Sequence, residues 1–160
     1  MTRGQPVPMT PEGHKKLHEE LKHLKSVERP RVVLDIEEAR AHGDLKENAE
    51  YHAAKEKQAH LSRRIGEVED ALSRAQVIDP SKLDHKKVVF GAAVRLLDTE
   101  SGEEITYRIV GAHETNIKEG KISIESPIAK SLIGKRKEDL VKVTTPRGSR
   151  EFEIMEIRYG

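Results

Sequence analysis

The chain has 160 residues, 36% of them charged and only 3% aromatic, with a formal net charge of +1. That balance disfavours one large compact core and excludes a strongly basic nucleic-acid binder, so any electrostatic function lies in local patches. With no cysteine, disulfides, cysteine-ligated zinc and thiol catalysis are excluded. No apolar run reaches the roughly 20 residues needed to span a bilayer. The first residues, Met1 to Pro8, lack the apolar core of a signal peptide. A soluble cytoplasmic protein is expected.

Residues 11–77 read as helix. Thr10 can cap the first helix, with Pro11 at its first position, where a missing N–H costs nothing. Leu17, Leu21 and Leu24 are spaced by four and three. Leu61, Ile65, Val68 and Leu72 repeat that spacing, so each helix carries one apolar stripe. The stripes mirror one another: Leu17 with Leu72, Leu21 with Val68 and Leu24 with Ile65 have equal residue-number sums. Antiparallel helices of equal rise pair in this way. The mirror point falls between Asp44 and Leu45, which predicts a helical hairpin with its bend there.

Gly43 offers backbone freedom at a helix end. Asp44 is expected to cap the returning helix, with Glu47 three residues on as in a capping box. Each arm is about 30 residues, or roughly 45 Å at about 1.5 Å per residue. Pro30 should kink or interrupt the first arm. Near the bend the stripe thins to Ile36, Ala39, Ala49, Ala53 and Ala54, small enough to keep that end slender.

After Asp79-Pro80 the pattern changes. Residues 88–90, 92–97, 105–110, 122–124, 141–143 and 152–157 read as strands. Turns are expected at 98–102, 118–120 and 146–148. Ser126-Pro127 opens a short helix that Gly134 closes. The expected architecture has two domains. Residues 1–79 form an antiparallel helical hairpin with an acidic tip near 43–48. Residues 80–160 form an α+β domain, a small antiparallel sheet with one helix.

The segment Glu38-Ala-Arg-Ala-His-Gly-Asp-Leu-Lys-Glu-Asn-Ala-Glu-Tyr51 closely resembles the tip signature of the bacterial Gre family of transcript-cleavage factors. Ser126-Pro-Ile-Ala-Lys-Ser-Leu-Ile-Gly-Lys135 resembles its C-terminal signature. The resemblance covers nearly the full length. It implies a coiled-coil hairpin and a C-terminal domain resembling FK506-binding proteins. It also implies a partner, bacterial RNA polymerase. The hairpin would enter the polymerase's secondary channel and stimulate its own cleavage of RNA extruded by backtracking. The chain would thus not be an enzyme by itself.

Asp44 and Glu47 align with the family's tip acids. They are expected to be the catalytic carboxylates, holding a second Mg²⁺ jointly with the polymerase and orienting the attacking water. Hard Mg²⁺ prefers carboxylate oxygens, and two-metal hydrolysis needs one ion for the water and one for the leaving oxygen. Arg40 and Lys55 fall where the family carries a basic patch for the RNA 3′ end, a contact that gives affinity without sequence readout. Residues 1–79 hold 14 basic and 15 acidic side chains, so the patch is local, as in the less basic branch of the family. Ser126 and Pro127 resemble the surface that docks on the polymerase. A monomer is expected.

Plainer readings stand beside these. Asp44 and Glu47 read equally as a helix cap and its partner, which is compatible with metal work. Arg40 and Lys55 read as a solvated helix face, Glu50 as an exposed charge, and Tyr51 as a packing residue. His14 and His18, four apart, have no evident third metal ligand, and His42 and His52 flank the tip. Two other function classes compete. A prolyl isomerase would line its pocket with aromatics, yet residues 80–160 hold only Phe90, Tyr107, Phe152 and Tyr159. A non-catalytic regulator of the channel would share the hairpin without depending on the tip acids.

Overall fold

The computed structural model describes residues 4–43 and 47–160. They divide into two units, one of His14–Ala75 with Gly4 and Gln5, the other of Pro6–Gly13 with Gln76–Gly160. Residues 6–13 therefore group with the sheet, whereas a single cut between 79 and 80 leaves them with the helices. Among the described residues no helix is long and apolar enough to cross a membrane.

Helix α1 spans Pro11–His23, and its start is Thr10: the Oγ1 of Thr10 accepts the Gly13 N–H at 3.1 Å. A π-helical turn (Leu24–Glu28) leads into α2 (Arg29–Arg40), and the return helix is α3 (Ala49–Ser73). Helix α3 packs against α2 and the π-turn. The arms are tied by Arg64 to Glu20, by Lys25 to Glu69 and by Asn48 to Ala39. Residues 41–48 separate α2 from α3, and the expected bend between Asp44 and Leu45 lies outside the described residues.

Leu17, Val32, Ala39, Ala54, Ile65, Val68 and Ala71 are buried. Leu21, Leu24, Leu61 and Leu72 are half-buried, since two helices sharing one seam cannot enclose a side chain on every side. Ala49 and Ala53 are exposed, which corrects their assignment to the stripe. Val32 belongs there instead.

Pro30 sits in the first turn of α2, directly after the π-turn. It has no N–H to continue the ladder, and its ring would crowd the carbonyl four residues back. The Arg29 N–H instead reaches five residues back, to Leu24 O. The wider turn also inserts a residue. Extending the spacing of Leu17, Leu21 and Leu24 would put Arg31, Asp35 and Glu38 on the seam. Val32, Ile36 and Ala39 lie there, each one position later. Helix α3 keeps the spacing unbroken from Tyr51 through Ala54, Gln58, Leu61, Ile65 and Val68 to Leu72. The skip thus coincides with the π-turn on one arm only.

In the second unit β1 (Val7–Met9) pairs with β2 (Ala75–Val77), two strands that the helical reading of 11–77 and the unassigned N-terminus did not contain. The main sheet has the order β5-β4-β3-β7-β6, from β3 (Ala93–Asp98), β4 (Glu104–Val110), β5 (Lys121–Ser123), β6 (Leu140–Thr145) and β7 (Gly148–Arg158). All neighbours are antiparallel except β4 and β5, which are parallel. A wholly antiparallel sheet is therefore corrected. Two 3₁₀ turns at Ala112–Glu114 and Ile117–Glu119 carry the chain round, so that Arg108 faces Lys121.

Val88-Val89-Phe90 is not a strand. Its backbone exchanges bonds with the loop after α4 (Pro127–Leu132): Val88 N–H to Lys135 O at 2.7 Å, and Gly134 N–H to Val88 O at 2.9 Å. The apolar run serves burial rather than the ladder, with Val88 and Phe90 in the core beside Leu96, Ile109, Leu132 and Ile154.

Candidate functional site at the end of the helical unit

Asp44, expected to be both catalytic and metal-binding, lies outside the described residues. Glu47 is described and exposed, and it precedes α3 rather than belonging to it. The expected cap is therefore corrected. Helix α3 starts at Ala49, and its cap is Asn48, in extended conformation, whose side-chain oxygen accepts the Tyr51 N–H at 3.0 Å. Glu47 is thus not a residue of the α3 helix. It sits in the turn, one residue before a capped helix start.

Asn48 was missed from the sequence, although asparagine is among the preferred capping residues and stands three positions before Tyr51. Its other side-chain atom, Nδ2, donates to Ala39 O at 2.5 Å. Two further contacts cross the same end. The Arg40 guanidinium carbon lies 6.0 Å from the centre of the Tyr51 ring, at the outer limit of cation–π attraction. His42 Nε2 lies 3.6 Å from a Glu50 carboxylate oxygen. His42, Glu47, Asn48, Ala49 and Glu50 line a shallow open depression.

No ion pair or hydrogen bond joins Glu47 to another described residue. Among the described residues no three His, Asp or Glu side chains converge as a metal site. The fit to Mg²⁺ is thus partial: Glu47 is an available hard-oxygen ligand, and the remaining ligands of a bound ion must come from outside the described residues. His14 and His18 have their ring centres 4.6 Å apart, edge to face, a pair without a third ligand among them.

Arg40 and Lys55 are both exposed, and each follows a buried alanine, Ala39 or Ala54. That places both cations just off the seam. Arg40 faces Tyr51, while Lys55 Nζ donates to Gln58 at 3.1 Å.

In the sheet unit Ser126 and Pro127 open α4. Ser126 Oγ accepts the Ala129 N–H at 3.2 Å and donates to Ser123 O at 2.7 Å, with Pro127 at the first helical position and exposed. Phe90 and Phe152 belong to the core, and Tyr159 stacks on His85 with ring centres 4.5 Å apart. Tyr107 packs against the same core, so these aromatics are engaged in packing.

Comparison with known proteins places this arrangement. Residues 7–77 match the family model for the N-terminal domain of GreA and GreB transcription elongation factors. Residues 83–159 match that for the GreA/GreB C-terminal domain. The transcription elongation factor GreA of Alkalilimnicola ehrlichii is 58% identical over 155 residues, 96% of this chain and 98% of its own. That of Phenylobacterium zucineum is 55% identical over 153 residues, again 96% and 98%. Among solved structures, GreA factor homolog 1 of Thermus thermophilus is 29% identical, covering 96% of this chain and 99% of its own, with a TM-score of 0.45. With both family models matched and more than half of the residues shared with full-length relatives, the chain belongs to the GreA/GreB family of transcription elongation factors.

Proposed function

We propose that this elongation factor acts in the cytoplasm, as a monomer, on bacterial RNA polymerase. Its helical unit works as a coiled-coil hairpin that enters the polymerase's secondary channel, and the factor stimulates the polymerase's own cleavage of backtracked RNA. The ties of Glu20 to Arg64, Lys25 to Glu69 and Ala39 to Asn48, early residues joined to late ones, support the hairpin. The five-stranded sheet with one short helix is compatible with the FKBP-like reading of the second unit.

The observation that carries the proposal is Glu47: an exposed carboxylate, unpaired among the described residues, in the turn between two helices and next to a tightly held cap. An exposed, unpaired carboxylate is common on a protein surface; what sets Glu47 apart is that it stands beside a helix cap inside the residues that carry the family's tip signature.

In this mechanism Asp44 and Glu47 present their oxygens to the polymerase's active site. Mg²⁺, when shared there with the polymerase, supplies water activation and charge stabilisation at the phosphodiester. Arg40 and Lys55 steady the phosphates of the extruded 3′ end without reading bases. Ser126 and Pro127, at the start of α4, provide the docking surface.

Addition of the protein to defined backtracked elongation complexes with Mg²⁺ should shorten the nascent RNA from its 3′ end. Intact binding to polymerase with no shortening would assign the chain to the regulators that occupy the channel without catalytic effect.

A further inference from the structure

We propose that Asn48 is a positioning residue for Glu47: its amide locks the two helix ends together and so fixes where the neighbouring carboxylate points. This rests on the reading of Glu47 as a working carboxylate.

Helix termini leave backbone groups unsatisfied, N–H at the start and C=O at the end. Asn48 serves both kinds at once. Its Oδ1 takes the Tyr51 N–H at the start of α3, and its Nδ2 gives to Ala39 O at the end of α2. A carbonyl can only accept and an N–H can only donate, so the two bonds determine the orientation of the amide. The backbone carbonyl of Asn48 also accepts the His52 N–H at 3.1 Å, the first bond of the helix.

The residue therefore bridges nine positions of chain and closes the connection 41–48 at its base. Ala39, its partner, is only 2% exposed, so this anchor point is itself fixed in the seam. Glu47 is one peptide bond away, with no hydrogen bond or ion pair of its own to another described residue. The backbone sets where its Cα–Cβ bond starts and aims, and the backbone there is held by Asn48. Asparagine is the residue that meets both requirements. Serine or aspartate can cap a helix equally well, but serine is shorter and has no amide donor, while aspartate would put an oxygen against the Ala39 carbonyl. A plain capping role asks for no amide donor, and a plain seam role asks for no cap.

The test compares Asn48→Ser and Asn48→Asp with the natural protein and with Glu47→Gln. Four quantities are read: helicity, competition for polymerase, the cleavage rate at saturating factor, and its dependence on Mg²⁺ concentration. Both Asn48 variants retain a capping oxygen, so helicity and polymerase binding should be unchanged. The saturating rate should fall roughly 10- to 100-fold, the range found when a residue orienting a ligand is lost, and higher Mg²⁺ should recover part of it for Asn48→Ser.

Natural rates and Mg²⁺ dependence in both Asn48 variants, alongside an inactive Glu47→Gln, would overturn the positioning role alone. Full activity of Glu47→Gln would instead overturn the underlying reading of Glu47. Loss of binding or helicity in step with rate, with no change in Mg²⁺ dependence, would make Asn48 a structural residue only and also overturn the proposal.

Discussion

Arg64 grips Glu20 with two parallel bonds: Nε to one carboxylate oxygen and Nη2 to the other, each 2.7 Å long. The hydrogen bond to Glu20 raises the Arg64 pKa above its ordinary value. The fork links α1 to α3 across 44 positions of chain. Lysine cannot reproduce it, since an ammonium is a point charge without a planar pair of donors.

Both partners are more than a third exposed, so solvent screens the pair. Arg64→Lys should lower stability by about 0.5–1 kcal/mol, the upper part of the range for exposed ion pairs. A double-mutant cycle of Glu20→Gln and Arg64→Gln, followed by urea denaturation, should return a coupling energy of that size and shrink it in high salt. A coupling of zero would make the fork a geometric coincidence.

The π-turn has two candidate causes, and a substitution separates them. Pro30→Ala restores the missing N–H and removes the ring clash. If proline alone created the wide turn, the helix would revert to regular α geometry. Reversion would rotate Val32, Ile36 and Ala39 off the seam; burial of Val32 alone is worth about 1.5–3 kcal/mol, with smaller terms from half-buried Ile36 and the Ala39 methyl. One regularised helical turn gains less than that. Pro30→Ala should therefore keep the π-turn, with the Arg29 amide still protected from hydrogen exchange through Leu24 O. Deleting one residue within Leu24–Glu28 should instead remove the wide turn and leave Val32, Ile36 and Ala39 in phase with Leu17, Leu21 and Leu24, whereas inserting one more should put the stripe out of phase and lower the melting temperature by several degrees.

Asp98 ends β3 and is only 8% exposed. Its Oδ1 accepts the N–H groups of Glu100 at 2.9 Å and Ser101 at 3.2 Å, holding the turn into β4. The Glu100 N–H, then the Ser101 N–H, with Arg150 further off, hold its pKa below the ordinary carboxylate value. A folded-state pKa below the unfolded one means that this contribution is fully present above the unfolded value of about 3.9. It is lost as pH falls through the lower folded value. Asp98→Asn should thus be less stable than the natural protein at neutral pH, with the difference narrowing below about pH 4. Denaturation midpoints measured across that window check the sign. A difference that widens on acidification would contradict it.

Ser126 both caps α4 and donates to Ser123 O, so Ser126→Ala removes the cap and leaves that carbonyl without its hydroxyl partner. The expected cost is about 1 kcal/mol, typical of a lost N-cap. Under the docking proposal, affinity for polymerase should fall as well, measurably by competition. Ser126→Asp restores the cap acceptor and should recover stability; recovered affinity in that variant would show that the helix start, rather than the hydroxyl, is what the partner needs.

Residue patterns carried some of these features and not others. The mirrored apolar stripes marked α1 and α3 as opposed arms, which Arg64 and Glu20 tie together, while the extra residue at the π-turn shifts the pairing sum beyond Leu24. Thr10-Pro11 and Ser126-Pro127 marked helix starts correctly, since capping is local chemistry. The start of α3 was misread because Asp44 and Asn48 are equally good caps in isolation. The bond from the Tyr51 N–H to Asn48, with the tie of Asn48 to Ala39 nine residues away, decides for Asn48. Val88-Val89-Phe90 read as a strand because an apolar run of that length satisfies strand and buried-loop patterns alike. The parallel β5 was hidden for a similar reason: strand direction is set by the path of 111–120, not by the side chains of Lys121–Ser123. The skip between Leu24 and Val32 was visible in the sequence and is the signal of the π-turn.

The most direct test of the central claim is the single-turnover rate of RNA cleavage in defined backtracked complexes at saturating factor. The natural protein is compared with Asp44→Asn/Glu47→Gln across a Mg²⁺ series. The natural protein should accelerate cleavage strongly. The double variant should bind polymerase equally well and lose at least roughly 100-fold of that acceleration, the scale of removing a preorganised electrostatic group. Equal acceleration by both proteins would contradict the account.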